Sequence, residues 1–219
     1  MKSLASTANG QEVLSSVVTK LTVLGATGSI GLNTLEIVRQ FPQKFKIEAL
    51  SCRSSIERLV EQIKEFQPRL VCVDNSEQAR ELRETFHGGN SGTESEFVWG
   101  VEGLVQVSSD PEVDLVVAGI VGAAGLQPTF SAVQAGKTVA VANKEPLVMA
   151  GELFVQTANK TGAKLLPTDS EHNAIFQALH GESPECIARL ILTASGGPFR
   201  DFPLKEFEKI TLAEALSLS

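Results

Sequence analysis

Cysteine, positive charge and long apolar runs are all scarce in this chain. Its three cysteines, Cys52, Cys72 and Cys186, are odd in number and far apart. That excludes a disulfide frame or a cysteine-held zinc, and points to free thiols in a reducing compartment. Lys and Arg total 19 against 26 Asp and Glu, a net charge of −7, with no basic stripe. A nucleic-acid partner, which needs clustered cations, is thereby excluded. The longest apolar run, Leu115 to Leu126, is rich in small residues and too short to span a bilayer, so a membrane partner is excluded too. Residues 1–19 are rich in Ser and Thr and lack an apolar signal core. They read as a loose leader on a cytoplasmic protein, with a cleavable organelle leader as the alternative.

Against those absences stands an ordinary globular composition, 42% hydrophobic and 21% charged, over 219 residues. That length allows one sizeable core and part of a second domain. The stretch LTVLGATGSIGLNT, Leu21 to Thr34, organises the rest. A short apolar run ends at Gly25, Gly28 and Gly31 follow at three-residue steps, and a helical pattern starts at Ile30. A buried strand that turns tightly into a helix N-terminus leaves N–H groups and the helix dipole facing an anion. The plain alternative is a glycine-rich turn without a ligand; strand, glycines and helix together favour a nucleotide.

Strand and helix patterns then alternate to about Val141. Helices are expected at Ile30–Gln40, Ile56–Phe66, from an Asn75 cap to about Phe86, and at Pro128–Ala135. Strands are expected at 45–50, 70–73, 113–118 and 138–141, with a loop over His87–Glu96. This rhythm predicts an α/β fold: a Rossmann-like doubly wound parallel sheet over residues 20–150. Beyond a soft boundary near Gly151 come a helix at 152–160, strands at 164–166 and 188–192, and short helices at 204–209 and 212–216. Residues 151–219 are read as the start of an α+β domain.

Ligands of such sheets sit at the carboxyl ends of the strands. After the second strand, where an NAD site places an acid, stands Arg53 beside Ser54 and Ser55. A guanidinium with hydroxyls suits a 2′-phosphate and favours NADP(H) over a merely solvated arginine. At Asn143-Lys144-Glu145-Pro146 two accounts stand level: a helix start capped by Asn143, or Lys144 facing the crevice. Asp169 and Glu171 are either two hard-oxygen ligands for Mg²⁺ or Mn²⁺, or part of a helix cap with Ser170. Ser195-Gly196-Gly197-Pro198 is either an anion nest or a plain turn.

Taken together, GATGSIG (Gly25 to Gly31), ANKE (Ala142 to Glu145), DSEHNAIFQ (Asp169 to Gln177) and LTASGGPFR (Leu192 to Arg200) resemble the 1-deoxy-D-xylulose-5-phosphate reductoisomerases. The resemblance runs from about Leu21 to Leu216. It implies NADPH contacts from Thr27, Gly28, Ser29, Ile30, Arg53, Ser54 and Asn143, with Glu145 near the junction of cofactor and substrate. It implies Mg²⁺ or Mn²⁺ on Asp169 and Glu171, and a ketose phosphate substrate met by Lys144, Ser170, Glu171 and Ser195. Lys144, Asp169 and Glu171 would be the catalytic residues, and the full-length family would pair as homodimers. Cys52 and Pro146 depart from the family's usual residues. The family's tryptophan-containing active-site loop, its third metal carboxylate and its C-terminal helical domain have no counterpart here. Residues 151–219 are therefore expected to be an incomplete catalytic domain. The alternative to an active reductoisomerase is a truncated, inactive NADPH-binding module.

Overall fold

The computed structural model describes residues 18–87, 94–191 and 199–216. Packing divides the chain into a compact unit that ends at Asp169 and a second that begins at Ser170. The first unit alternates throughout: β1 (Thr19–Leu24), α1 (Ser29–Gln40), β2 (Phe45–Ser51), α2 (Ile56–Phe66), β3 (Leu70–Val73), α3 (Ser76–His87), β4 (Glu96–Trp99), α4 (Gly100–Ser109), β5 (Leu115–Ala118), α5 (Leu126–Gln134), β6 (Thr138–Val141), α6 (Glu145–Thr161) and β7 (Lys164–Pro167). The strands form one sheet in the order β4-β3-β2-β1-β5-β6-β7, and every adjacent pair is parallel.

Burial on both faces explains why these strands read as nearly unbroken runs of Val, Leu and Ala. Alternate residues feed two cores. Val71, Val73 and Val117 join Leu35 and Val38 of α1, Leu59 and Ile63 of α2, and Leu82 and Phe86 of α3. Leu70, Cys72, Val116 and Ala118 join Val107 of α4, Ala132 and Val133 of α5, and Phe154 and Ala158 of α6. The order of the strands produces this division: the chain steps outward from β1 to β4, returns to β5 beside β1, then steps the other way. The reversal point lies between β1 and β5.

Local signals set the element ends. Asn75 caps α3, its Oδ1 accepting from the N–H groups of Glu77 and Gln78 at 3.1 and 3.0 Å. At the amino edge of the sheet, Lys20 pairs with Glu112 at 2.5 Å and Arg69 with Asp110 at 2.6 Å. Arg69 also reaches the buried Glu48 at 3.3 Å, and Lys46 meets the same carboxylate at 3.0 Å.

Three expectations differ from the structure. β4 and α4 fill a stretch for which no element is expected. The helix expected at 152–160 begins earlier, at Glu145, and breaks at Ala150, whose φ of −147° and ψ of 26° are not helical. Residues 188–191 form no strand: Leu190 and Ile191 stay 59% and 66% exposed, with no neighbouring strand to pair with among the described residues. β7 completes the sheet, so the first unit extends past Gly151.

The second unit holds α7 (Ser170–Ala178), 3-10 turns at Pro184–Cys186 and Leu204–Lys209, and α8 (Leu212–Leu216). Thr211 and Glu214 form a reciprocal cap for α8: the Thr211 N–H donates to Glu214 Oε2 at 2.8 Å, and the Glu214 N–H to Thr211 Oγ1 at 3.3 Å. Among the described residues no helix is long and apolar enough to cross a membrane.

Candidate functional site

The glycine turn is built by backbone meeting backbone at the point where the strand order reverses. Gly25 has φ +78°, a conformation that side chains rarely adopt, and a Cβ there would lie 3.1 Å from the Gly119 carbonyl oxygen. The Gly119 N–H donates to the Leu24 carbonyl at 3.0 Å. The loops leaving β1 and β5 are thus joined where an open parallel sheet forms its ligand crevice. α1 lies directly on the turn: a Cβ at Gly31 would come within 2.4 Å of the Gly25 oxygen and 2.5 Å of the Ala26 oxygen. Gly28 is the N-cap of α1 and no side chain caps that end. Thr27 is half-buried, while Gly28, Ser29 and Ile30 are exposed. The start of α1 is therefore a positive, open helix end suited to an anion.

Three supporting residues escape a sequence reading. Ser51, at the end of β2, accepts from the Gly25 N–H on Oγ at 3.0 Å and from the Ala26 N–H on its carbonyl at 2.8 Å. From α2, Gln62 Nε2 donates to the Ala26 carbonyl at 3.0 Å and Arg58 Nη1 to the Thr27 carbonyl at 3.1 Å. Gln62 carries a sequence signal, being a polar residue on the stripe of Leu59 and Ile63, which are buried with it.

Arg53 and Ser54 follow β2 on the same edge, both exposed. Arg53 Nε lies 3.8 Å from Asp74 Oδ1, and the Arg53 carbonyl accepts from Gln78 Nε2 at 3.2 Å. Buried Cys52 meets the Thr27 hydroxyl, with Sγ and Oγ1 3.2 Å apart. The other two thiols lie elsewhere: Cys72 is buried in the sheet, which pushes it up to about 12, and Cys186 is exposed.

At the end of β6, Asn143 is only 7% exposed. Its Nδ2 donates to the carbonyls of Ile120 and Gly122 at 2.5 and 3.0 Å, and its Oδ1 accepts from the Glu145 N–H at 3.2 Å. The side chain both starts α6 and clamps the loop after β5. Lys144 and Glu145 are exposed beside it, and Pro146 is buried in the first turn. Asp169 follows β7 on the same edge and closes the first unit. Ser170 and Glu171 open α7 in the second unit, where Ser170 Oγ donates to Glu171 Oε2 at 3.0 Å. Ser195 lies outside the described residues. Among the described residues no cluster of three or more His, Cys, Asp or Glu is placed to hold a metal.

One edge of one sheet thus carries the residues at 27–30, 53–54, 143–145 and 169. The model of the 1-deoxy-D-xylulose 5-phosphate reductoisomerase family matches residues 21–151, and that of its C-terminal domain matches residues 165–218. A 1-deoxy-D-xylulose 5-phosphate reductoisomerase of Shouchella clausii is 48% identical over 198 residues, covering 90% of this chain and 51% of the relative. That of Pelodictyon phaeoclathratiforme is 50% identical over 196 residues, covering 90% and 50%. A solved DOX-P reductoisomerase in complex with NADPH, fosmidomycin and magnesium superposes with a TM-score of 0.74 at 42% identity, covering 90% of this chain and 50% of the other. The Zymomonas mobilis enzyme in complex with NADPH gives 0.76 at 37% identity, covering 91% and 51%. The chain spans about half the length of the relatives it matches. With both family models matched and the glycine turn at the sheet's reversal point, the chain belongs to the 1-deoxy-D-xylulose 5-phosphate reductoisomerase family.

Proposed function

We propose that this chain serves the NADPH- and divalent-metal-dependent rearrangement and reduction of 1-deoxy-D-xylulose 5-phosphate to 2-C-methyl-D-erythritol 4-phosphate, a step of non-mevalonate isoprenoid biosynthesis. The reading includes a cytoplasmic setting, where free thiols persist, and pairing of two copies through the part beyond Gly151. One observation carries it: the uncapped start of α1, cradled by bare glycine backbone at the β1–β5 reversal. NADPH suits that cradle, since Gly28 offers no side chain to occupy the space. The donor set of Asp169 and Glu171 suits Mg²⁺ or Mn²⁺, being two hard carboxylates.

The residues take these roles in the proposal. Thr27, Gly28, Ser29 and Ile30 hold the dinucleotide phosphates through backbone N–H groups, and Arg53 with Ser54 takes the 2′-phosphate. Asn143 holds the loop that lines the cofactor, with Glu145 at the junction of cofactor and substrate. Lys144 binds and orients the ketose, Asp169 and Glu171 hold the cation, and Ser170 and Ser195 bind substrate. When bound, the nicotinamide supplies the hydride and the cation polarises the carbonyl.

A second reading, an NADPH-binding module without turnover, is favoured by the donor count: among the described residues no group of three or more His, Cys, Asp or Glu is placed to hold a metal. NADPH titration by fluorescence, then addition of the ketose phosphate with Mg²⁺ or Mn²⁺, separates the two. Rapid metal-dependent loss of NADPH absorbance supports the first, and binding without turnover supports the second. Failure to bind NADPH sinks both.

A further inference from the structure

We propose that Gln62 is a positioning residue for the nucleotide, acting through the peptide between Ala26 and Thr27; the inference rests on the NADPH reading above. Gln62 is 3% exposed, and its Nε2 holds the Ala26 carbonyl at 3.0 Å. No described peptide is cis, so the carbonyl and the N–H of that peptide point in opposite directions. Anchoring the Ala26 carbonyl on α2 therefore turns the Thr27 N–H away from α2. Its neighbours in the turn are engaged within the protein: the Gly25 and Ala26 N–H groups on Ser51, and the Gly28 N–H on the Gly25 carbonyl at 3.1 Å. Among the described residues the Thr27 N–H meets no protein acceptor, which leaves it for a phosphate. Arg58 braces the next carbonyl, that of Thr27, from the same helix.

The other end of Gln62 argues that the amide is there for its nitrogen. Its Oε1 is buried and meets no protein donor. A residue that only filled the core would carry no unpaired buried oxygen, because such a group destabilises the fold. The position tolerates that cost for the sake of the Ala26 contact.

NADPH affinity, read by fluorescence titration, and thermal midpoint are to be compared in the 219-residue chain and two variants. Gln62→Met keeps the length and removes both polar atoms. Its midpoint should stay near the parent's, since removing the unpaired Gln62 Oε1 offsets the Ala26 carbonyl left without its donor, while its NADPH Kd rises about fivefold, the loss of one modest hydrogen bond. Gln62→Glu, when ionised, turns a carboxylate toward the Ala26 oxygen. Its Kd should rise further above the usual carboxyl range and recover as the pH falls and the carboxyl becomes a donor. A Gln62→Met chain with the parent's Kd, or a Gln62→Glu chain with no pH dependence beyond the parent's, overturns the inference. Should neither variant fold, Arg58→Met at its exposed position carries the test, with about a twofold rise expected and an unchanged Kd overturning it. If the parent itself fails to bind NADPH, it is the nucleotide reading that falls.

Discussion

Gly125 is bare where Asn143 needs room. A Cβ at Gly125 would lie 3.0 Å from Asn143 Nδ2 and 2.7 Å from the Ile120 oxygen to which that nitrogen donates. The clamp between the ends of β5 and β6 thus needs an amide on one side and no side chain on the other. Asn143→Ala removes three hydrogen bonds inside the protein, two donated and one accepted, and should cost about 2–3 kcal/mol in urea unfolding. Gly125→Ala should cost a similar amount by pushing the same partners apart. The double variant should fall short of the sum, since both changes break one seat.

Gly31 and Gly28 should respond differently to alanine. At Gly31 the added carbon meets backbone oxygens at 2.4 and 2.5 Å, so α1 must move off the turn. A loss of about 2 kcal/mol in stability is expected, as for other overpacked sites. At Gly28 the nearest atom would be 3.4 Å away, an ordinary contact. There the thermal midpoint should hold while NADPH affinity falls by about tenfold or more, a methyl group now standing over the helix end. An equal affinity for the parent and Gly28→Ala would show that the phosphates do not sit there.

Arg53 offers a test of cofactor choice. Its side chain is 87% exposed, and its Asp74 partner is 3.8 Å away and itself half exposed, so removal should leave stability within about 0.5 kcal/mol. Arg53→Ala should weaken NADPH by about tenfold and leave NADH unchanged. Parallel titrations with the two dinucleotides read the difference directly.

Cys72 sets an alkaline limit. Burial pushes its thiol from 9.0 up to about 12. Below pH 9 both folded and unfolded chains keep the proton, and the group contributes its full stability. As pH rises toward 12 the unfolded chain releases the proton first, so stability falls, by at most about 1.4 kcal/mol per pH unit. Cys72→Ala should flatten the stability profile in that window. In the native state an alkylating reagent should label exposed Cys186 before buried Cys72, as mass spectrometry of the digests would show.

Much of this molecule is legible in its sequence, and the parts that are not share a cause. β1, β2, β3, β5 and β6 are apolar runs punctuated by turns, and the glycine turn announces itself by spacing. β4 and α4 are hidden because Glu96–Trp99 is a four-residue edge strand in which only Phe97 is fully buried, and α4 opens on glycine and carries β-branched residues. Packing holds α4: a Cβ at Gly103 would lie 3.0 Å from Cys72 Sγ, so the helix lies close on β3. The apolar stretch before Leu192 looks like a strand locally yet has no strand beside it among the described residues, and pairing is a property of partners. The same holds at the site. Asn143 reads as a helix cap or a cofactor contact, and its hold on the Ile120–Gly122 loop, distant in sequence, is visible only in the fold. Ser51 and Arg58 carry no local mark at all.

Because all seven strands run in one direction, the sheet has two ends that answer to separate demands. The pairs Lys20–Glu112 and Arg69–Asp110 fasten one rim, while the bare glycine backbone and Asn143 shape the opposite rim. An engineer seeking a hardier protein has a place to work: charge and packing changes around the fastened rim can raise heat tolerance without disturbing molecular recognition. Random variation should sort the same way, with heat-sensitive alleles gathering at one rim and recognition-defective alleles at the other.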